Sequence, residues 1–337
     1  IRLAQLDVKE IGAQWPLAEI GTLADAEALE ALTAFYLARV IDRSRNWIAR
    51  ERHELLVGRK PLWSVSLGVP VQYCDSPALD RFQRVLRIAA AWADAGVGPT
   101  VTVGHLIPLA RKFSSVEANT ECSVVEELGA AVRSFVSSPQ APEGVYVFMD
   151  VGAGTLDGVS FRYLRDEGRP RLVCHSAAVE PLGISAVAET LAPAVGVPSQ
   201  ELEGKKKDRD GWSAGIEHVT HAFYHRRNDV TKFPLFVGGG GSLSDFYRET
   251  ITSTYSFRPL EAANIKPYRL ERVPVPQDLD MTGLPREHFH RFTVAYGLSI
   301  PPGESGGLDL PSTVPPEKPP GRWSTEATPY ENTKELT

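Results

Sequence analysis

The segment Val147-Phe148-Met149-Asp150-Val151-Gly152-Ala153-Gly154-Thr155-Leu156-Asp157 constrains this chain more than any other. Its apolar start reads as a strand that delivers Asp150 to a turn of small residues, with a second strand leaving from Leu156. Glycines let a backbone approach a ligand with no Cβ in the way, and successive amides in such a turn form a positive concavity suited to phosphate. Thr155 adds a hydroxyl donor. Asp150 and Asp157 flank the turn, and carboxylates so placed suit Mg²⁺, a hard ion that keeps most of its waters. An ordinary Asp/Gly hairpin shares this pattern, so phosphate binding and a plain turn both remain open at this point.

A second strand-to-glycine junction follows at Phe236-Val237-Gly238-Gly239-Gly240-Gly241-Ser242-Leu243-Ser244. The amphipathic residues beyond it, Phe246, Tyr247 and Ile251, predict a helix whose first amides point back at the turn. Four glycines and a serine are also the composition of a flexible linker, but the apolar strand before them favours a ligand turn. No lysine follows the glycines, so this is not a Walker loop, and the Rossmann spacing is absent.

Around these turns the periodicity alternates between helical and extended. Residues 24–51 carry Leu29, Leu32, Phe35, Tyr36, Val40 and Ile41 at helical spacing, with arginines on the solvated side. Residues 62–71 alternate like a strand, 77–95 return to a helical stripe, and a strand-like stretch after Val101 precedes a helix expected around 124–135. Strands are expected at 145–164 and 171–178, and helices at 184–194 and 212–227, with a charged loop at 201–210. From Pro301 the chain is rich in proline and glycine, which predicts an extended or disordered tail over 301–337.

At 337 residues the chain has room for two domains or one bilobal unit. Asp plus Glu outnumber Lys plus Arg by 42 to 36, a net charge of −6, which argues against nucleic-acid or anionic-membrane binding as the main activity. Cys74, Cys122 and Cys174 are too few and too dispersed for a disulfide framework or a metal knuckle, and they fit a reducing, cytoplasmic setting. No apolar run reaches the ~20 residues of a membrane span. His218, His221 and His225 share one helical face without a carboxylate or cysteine to complete a ligand set, so a solvated face is the simpler reading. No Gly-x-Ser-x-Gly elbow supports nucleophilic catalysis.

The order of the two turns resembles the actin, sugar kinase and heat-shock ATPase superfamily. Asp150-Val-Gly-Ala-Gly-Thr-Leu-Asp157 looks like its second phosphate motif and Val237-Gly-Gly-Gly-Gly-Ser242 like its adenosine motif. Ser64-Val-Ser-Leu-Gly-Val-Pro-Val71 resembles a strand of the DnaK-like chaperones, and Val125-Glu-Glu-Leu-Gly-Ala-Ala-Val132 their connecting helix. Arg291-Phe-Thr-Val-Ala-Tyr-Gly-Leu298 is similar to the closing helix, so the resemblance spans about residues 60 to 300. It implies a two-lobed α/β fold of the actin-like, ribonuclease H-like type. Lobe I would cover 1–137, closed by a helix at 286–300, and lobe II would cover 138–285, with the nucleotide cleft between them.

The resemblance further implies ATP or ADP and Mg²⁺ as ligands, with Asp150 and Glu126 as catalytic residues. Gly152, Ala153, Gly154 and Thr155 would contact phosphates, Gly238, Gly239, Gly240 and Ser242 the adenosine side, and Asp150 and Asp157 the metal through water. Gly183 would mark the turn into the helices of lobe II. In-line attack of water on the γ-phosphate would then switch the binding of a protein partner. The first phosphate motif, Asp-x-Gly-Thr, is not found before residue 60, where Asp7-Val8 is followed by Lys9-Glu10, and Glu127 stands where the connecting helix has proline. With Ile at position 1, the expectation is either that a preceding segment carries that motif or that nucleotide binds weakly. A pseudo-ATPase scaffold, a polymerising actin-like protein and a small-molecule kinase are the rival readings. Nothing after residue 300 resembles a peptide-binding domain.

Overall fold

The computed structural model describes residue 3 and residues 26–98, 100–138, 141–185, 234–253, 269–301 and 307–314. The charged stretch at 201–210, the three histidines and the helices expected at 184–194 and 212–227 lie outside these residues, apart from Ile184 and Ser185.

The first body is helical around a small parallel sheet. Helix α1 (Ala26–Glu51) buries Ala31, Ala34, Ala38 and Ile41, a stripe of mostly small side chains at helical spacing. The short helix α2 (His53–Leu56), strand β1 (Ser64–Val69) and short helix α3 (Val71–Cys74) follow. Helix α4 (Ala78–Asp94) sets Val85, Ile88, Ala89 and Trp92 against α1, and α5 (Val103–Ser114) completes the layer. Trp92 sits 5.3 Å from Phe35 and 5.4 Å from Phe113, ring centre to centre, so one indole links all three helices. The stretch after Val101 is thus helix rather than strand, because Leu106, Ala110 and Phe113 repeat at helical spacing and all three are buried.

Strand β2 (Glu121–Glu126) lies parallel to β1, with Ser64 opposite Glu121 and Val69 opposite Glu126. A parallel pair needs a crossover, which α3, α4 and α5 supply. The expected helix around 124–135 begins only after β2, as α6 (Glu127–Ala131) and α7 (Arg133–Val136).

The second body is a six-stranded sheet. Strands β3 (Gly144–Val151), β4 (Leu156–Asp166) and β5 (Arg169–Glu180) form an antiparallel meander. Strand β6 (Pro234–Gly238) then pairs parallel with β3, helix α8 (Asp245–Ser253) follows, and β7 (Arg269–Glu271) pairs parallel with β6. A 3-10 turn (Arg286–Arg291), helix α9 (Thr293–Leu298) and β8 (Gly307–Asp309), parallel to β5, end the described chain. The order is β7-β6-β3-β4-β5-β8. Three antiparallel strands, then two parallel strands added on the side of the first, give the ribonuclease H-like connectivity, and the expected α/β class is observed.

Strict alternation along β3 decides what faces what. Tyr146 and Phe148, with Val159, Phe161 and Tyr163 of β4, join a core under α6, α7 and the 3-10 turn. Val145, Val147, Met149 and Val151 meet Tyr247 and Ile251 of α8 on the opposite face. Helix α9 returns across α6 so closely that a Cβ at Gly297 would collide with the Ala130 carbonyl. Residues 307–314 depart from the unattached tail expected beyond Pro301. They are hydrogen-bonded to both bodies, and Leu308 and Leu310 pack on the sheet's core. No described helix is long and apolar enough to cross a membrane.

Candidate functional site

Asp150 is the next alternate position after Phe148 on β3, so the apolar face of the strand ends in a carboxylate pointing towards α6. The ladder register sets Asp157 of β4 directly opposite Asp150. Directly opposed residues share a face of the sheet, with Cβ atoms about 5 Å apart. Glu127 supplies a third carboxyl from the first turn of α6. These three groups line one cleft between the two bodies together with Val71 and Gln72 of α3 and Ala177 to Val179 of β5.

Burial dominates the chemistry here. Loss of solvent pushes the Asp150 carboxyl up to about 6. Burial, and then the charge on Asp150, push Asp157 to about 7 against a hydrogen bond from Thr155. Burial followed by the charges of Asp157 and Asp150 takes Glu127 to about 8. Three close carboxyls in a poorly solvated cleft cannot all ionise cheaply. A cation in the cleft reverses that balance, because it favours the ionised form of each. Asp157 Oδ1 is buried with no hydrogen-bond partner among the described residues. An orphaned carboxylate oxygen of this kind is an acceptor kept for something else.

The turn beside the carboxyls is held by its carbonyls. Gly152 N–H donates to Thr155 O at 2.9 Å and closes the turn. Ile184 N–H donates to Gly152 O at 3.0 Å, Ser185 N–H to Ala153 O at 2.7 Å and Gly183 N–H to Gly154 O at 3.3 Å. The N–H groups of Ala153, Gly154 and Thr155 find no acceptor among the described residues. Three consecutive unspent donors form the kind of nest that binds an anion.

The second glycine turn is laid against the first. Gly238 pairs with Asp150 in the β3–β6 ladder, and Gly241 N–H donates to Val151 O at 2.9 Å. Gly239 has φ +80°, and a Cβ there would collide with Asp150 Oδ1 and the Val151 carbonyl. Gly240 alone of the four glycines at 238–241 faces open space. Ser242 is buried, with its hydroxyl donating to Gly239 O at 2.9 Å, so its polar atom is used inside the turn.

The fold therefore brings Asp150, Asp157, the 152–155 turn and the start of the 238–242 turn to one place. Glu126 is not among the cleft residues. It ends β2 opposite Val69, and its charge is felt by the thiols of Cys74 and Cys174. Its neighbour Glu127 takes the cleft position, because adjacent residues at the β2–α6 junction point to different sides. Sequence reasoning noted Glu127 only as a departure from the proline of the connecting helix and gave it no role in the site; the signal available was the start of helical spacing at that residue. Gln72 and residues 307–314 carried no motif at all. Among the described residues, no three His, Cys, Asp or Glu side chains are disposed to ligate one ion directly. The donor set fits a water-mediated hard cation better than a direct one.

No protein-family model and no curated protein matches this chain. Among solved structures, it is similar to the ethanolamine utilization protein EutJ from Carboxydothermus hydrogenoformans, with 16% identity over 79% of this chain and 74% of that one at a TM-score of 0.36. A chain of a PilM-PilN type IV pilus biogenesis complex is 15% identical over 79% of this chain and 84% of that one, at a TM-score of 0.35. The fold assignment rests on the connectivity of the sheet itself: an α/β protein with a ribonuclease H-like body whose Asp150–Asp157 hairpin faces a second, helical body.

Proposed function

We propose that this protein binds the phosphates of ATP or ADP at the 152–155 turn, with Mg²⁺ alongside, and that nucleotide state changes how the two bodies close on each other and on a protein partner. The observation that carries this reading is the set of three N–H donors, from Ala153 to Thr155, that find no acceptor among the described residues, next to the Asp150–Asp157 pair. In this reading the amides take the β- and γ-phosphate oxygens. Asp150 and Asp157 would hold Mg²⁺ through its waters, and the ion would supply positive charge against the phosphates. Glu127, ionised once that positive charge offsets its burial and its carboxylate neighbours, would take the proton of an attacking water. Hydrolysis would rest on positioning and electrostatics.

One observation favours the rival reading, a scaffold that keeps the fold without turnover: Gly238 and Gly239 are pressed against β3, which leaves only Gly240 open on the expected adenosine side. Calorimetric titration with ATP, with Mg²⁺ and then with EDTA, separates these cases. Binding that requires Mg²⁺ is expected, and Asp150→Asn should weaken it about 10-fold, the size of one charge-assisted interaction. Absence of binding to the native chain removes the nucleotide reading. Binding without phosphate release assigns the scaffold.

A further inference from the structure

Helix α3 belongs to the helical body. It follows β1 through Pro70, and Tyr73 stacks on Phe82 of α4 at 6.4 Å. It lies on β5 of the sheet, and it is fastened there at both ends. At the cleft end, Val179 N–H donates to Gln72 Oε1 at 2.7 Å. At the far end, Asp75 accepts Ser312 N–H at 3.0 Å on Oδ2 and the Ser312 hydroxyl on Oδ1. Ser312 is itself anchored to the sheet. β8 extends the ladder from β5, with Leu172 opposite Leu308, and the Arg171 guanidinium grips Asp309 at 2.8 and 2.9 Å. Leu308 and Leu310 pack on the core below.

We propose that residues 307–314 are a latch between the two bodies: β8 holds them on the sheet, the Ser312–Asp75 contact bolts them to α3, and release of that bolt sets how often the cleft opens. The bolt is solvent-accessible and consists of two hydrogen bonds to one carboxylate, strong enough to hold a closed state and weak enough to break on the timescale of local opening. With it gone, α3 keeps its Gln72 contact, the place of Val71 in the shared core and its packing on β5, so the opening is local: the α3–β5 seam parts from the Asp75 end while the core under α6 holds the two bodies together. The latch deepens the nucleotide reading by supplying a gate for exchange, and it rests on that reading only for the identity of what is exchanged.

Two native thiols report on the latch without any nucleotide. Cys174 on β5 is fully buried and lies within electrostatic reach of Cys74, Asp75 and Asp309, whereas Cys122 on β2 has no such neighbour on the latch. Site-resolved alkylation by iodoacetamide should be about 5-fold faster at Cys74 and Cys174 in Ser312→Ala, and faster still in Ser312→Asp, with Cys122 unchanged. The carboxylate introduced by Ser312→Asp disfavours thiolate, so an acceleration there reports opening rather than reactivity. Hydrogen exchange at α3 and at the Val179 amide should rise in the same variants. Unchanged labelling and exchange overturn the latch, as does an equal rise at all three thiols, which is global loosening. Release of a fluorescent ATP analogue measured in parallel should speed up with labelling; unaltered release from a chain that opens faster overturns the gating role. Faster labelling in a chain that binds no nucleotide supports the latch and removes the nucleotide reading instead.

Discussion

A carboxylate costs little on a wet surface and a great deal under a sheet face, so Asp150, at the end of the row that begins with Tyr146 and Phe148, is the residue to interrogate first. Its closest constraint is Gly239, whose left-handed backbone and missing Cβ let the second turn lie on the Asp150 carboxylate. Gly239→Ala meets backbone as well as side-chain atoms there, and it should cost about 2–4 kcal/mol by the measures of backbone strain and steric overlap. Gly240→Ala, next in sequence, meets nothing within 4 Å and has no positive φ, so it should be nearly neutral. Urea unfolding of the two variants side by side checks this. Equal costs would show that the turn is not pressed on β3.

At the scale of elements, the crossing of α9 over α6 decides where Glu127 sits. Helix α6 has only five residues and little stability of its own, so its position is imposed by neighbours. Gly297 brings α9 into backbone contact with Ala130, and Leu128 on the other side is buried in the sheet's core. Gly297→Ala must therefore push α9 off α6. An expected loss of about 2 kcal/mol or more follows from overpacking against backbone that cannot relax like a side-chain tip. The same variant should weaken Mg²⁺-dependent ligand binding, because Glu127 rides on α6. Denaturation and titration of one sample test both halves, and retention of full stability would contradict the close crossing.

For the whole molecule, the three cleft carboxyls link folding to pH. Each is held above its ordinary value, Asp150 near 6, Asp157 near 7 and Glu127 near 8. The folded chain then binds protons that the unfolded chain releases above about pH 4. Their contribution is most favourable below the unfolded values and is lost as pH rises from about 4 to 8. Asp157→Asn removes one of the three charges, so it should stabilise the chain at pH 8 relative to pH 5, on the order of 2 kcal/mol. Urea midpoints at the two pH values measure this, and a difference that does not depend on pH would assign the linkage elsewhere.

Local pattern was enough for much of this protein. Alternation in 144–166, a turn of small residues after Asp150 and helical stripes in 26–51 and 78–94 each follow from backbone geometry and burial within one short segment, and they were legible without a partner. The pairing of Asp150 with Asp157 follows from the same source, since a hairpin register is set by its own turn. The repeat of Leu106, Ala110 and Phe113 after Val101 is a local helical pattern too, although a strand-like stretch is the expectation there. Two things were decided only by packing over long sequence separations. Glu127 rather than Glu126 faced the carboxylate pair, because the change from strand to helix between them depends on where α9 and the sheet press on α6. Residues 307–314, which composition reads as loose tail, were fixed by Arg171 and by Asp75, 237 positions before Ser312, contacts that no local pattern encodes.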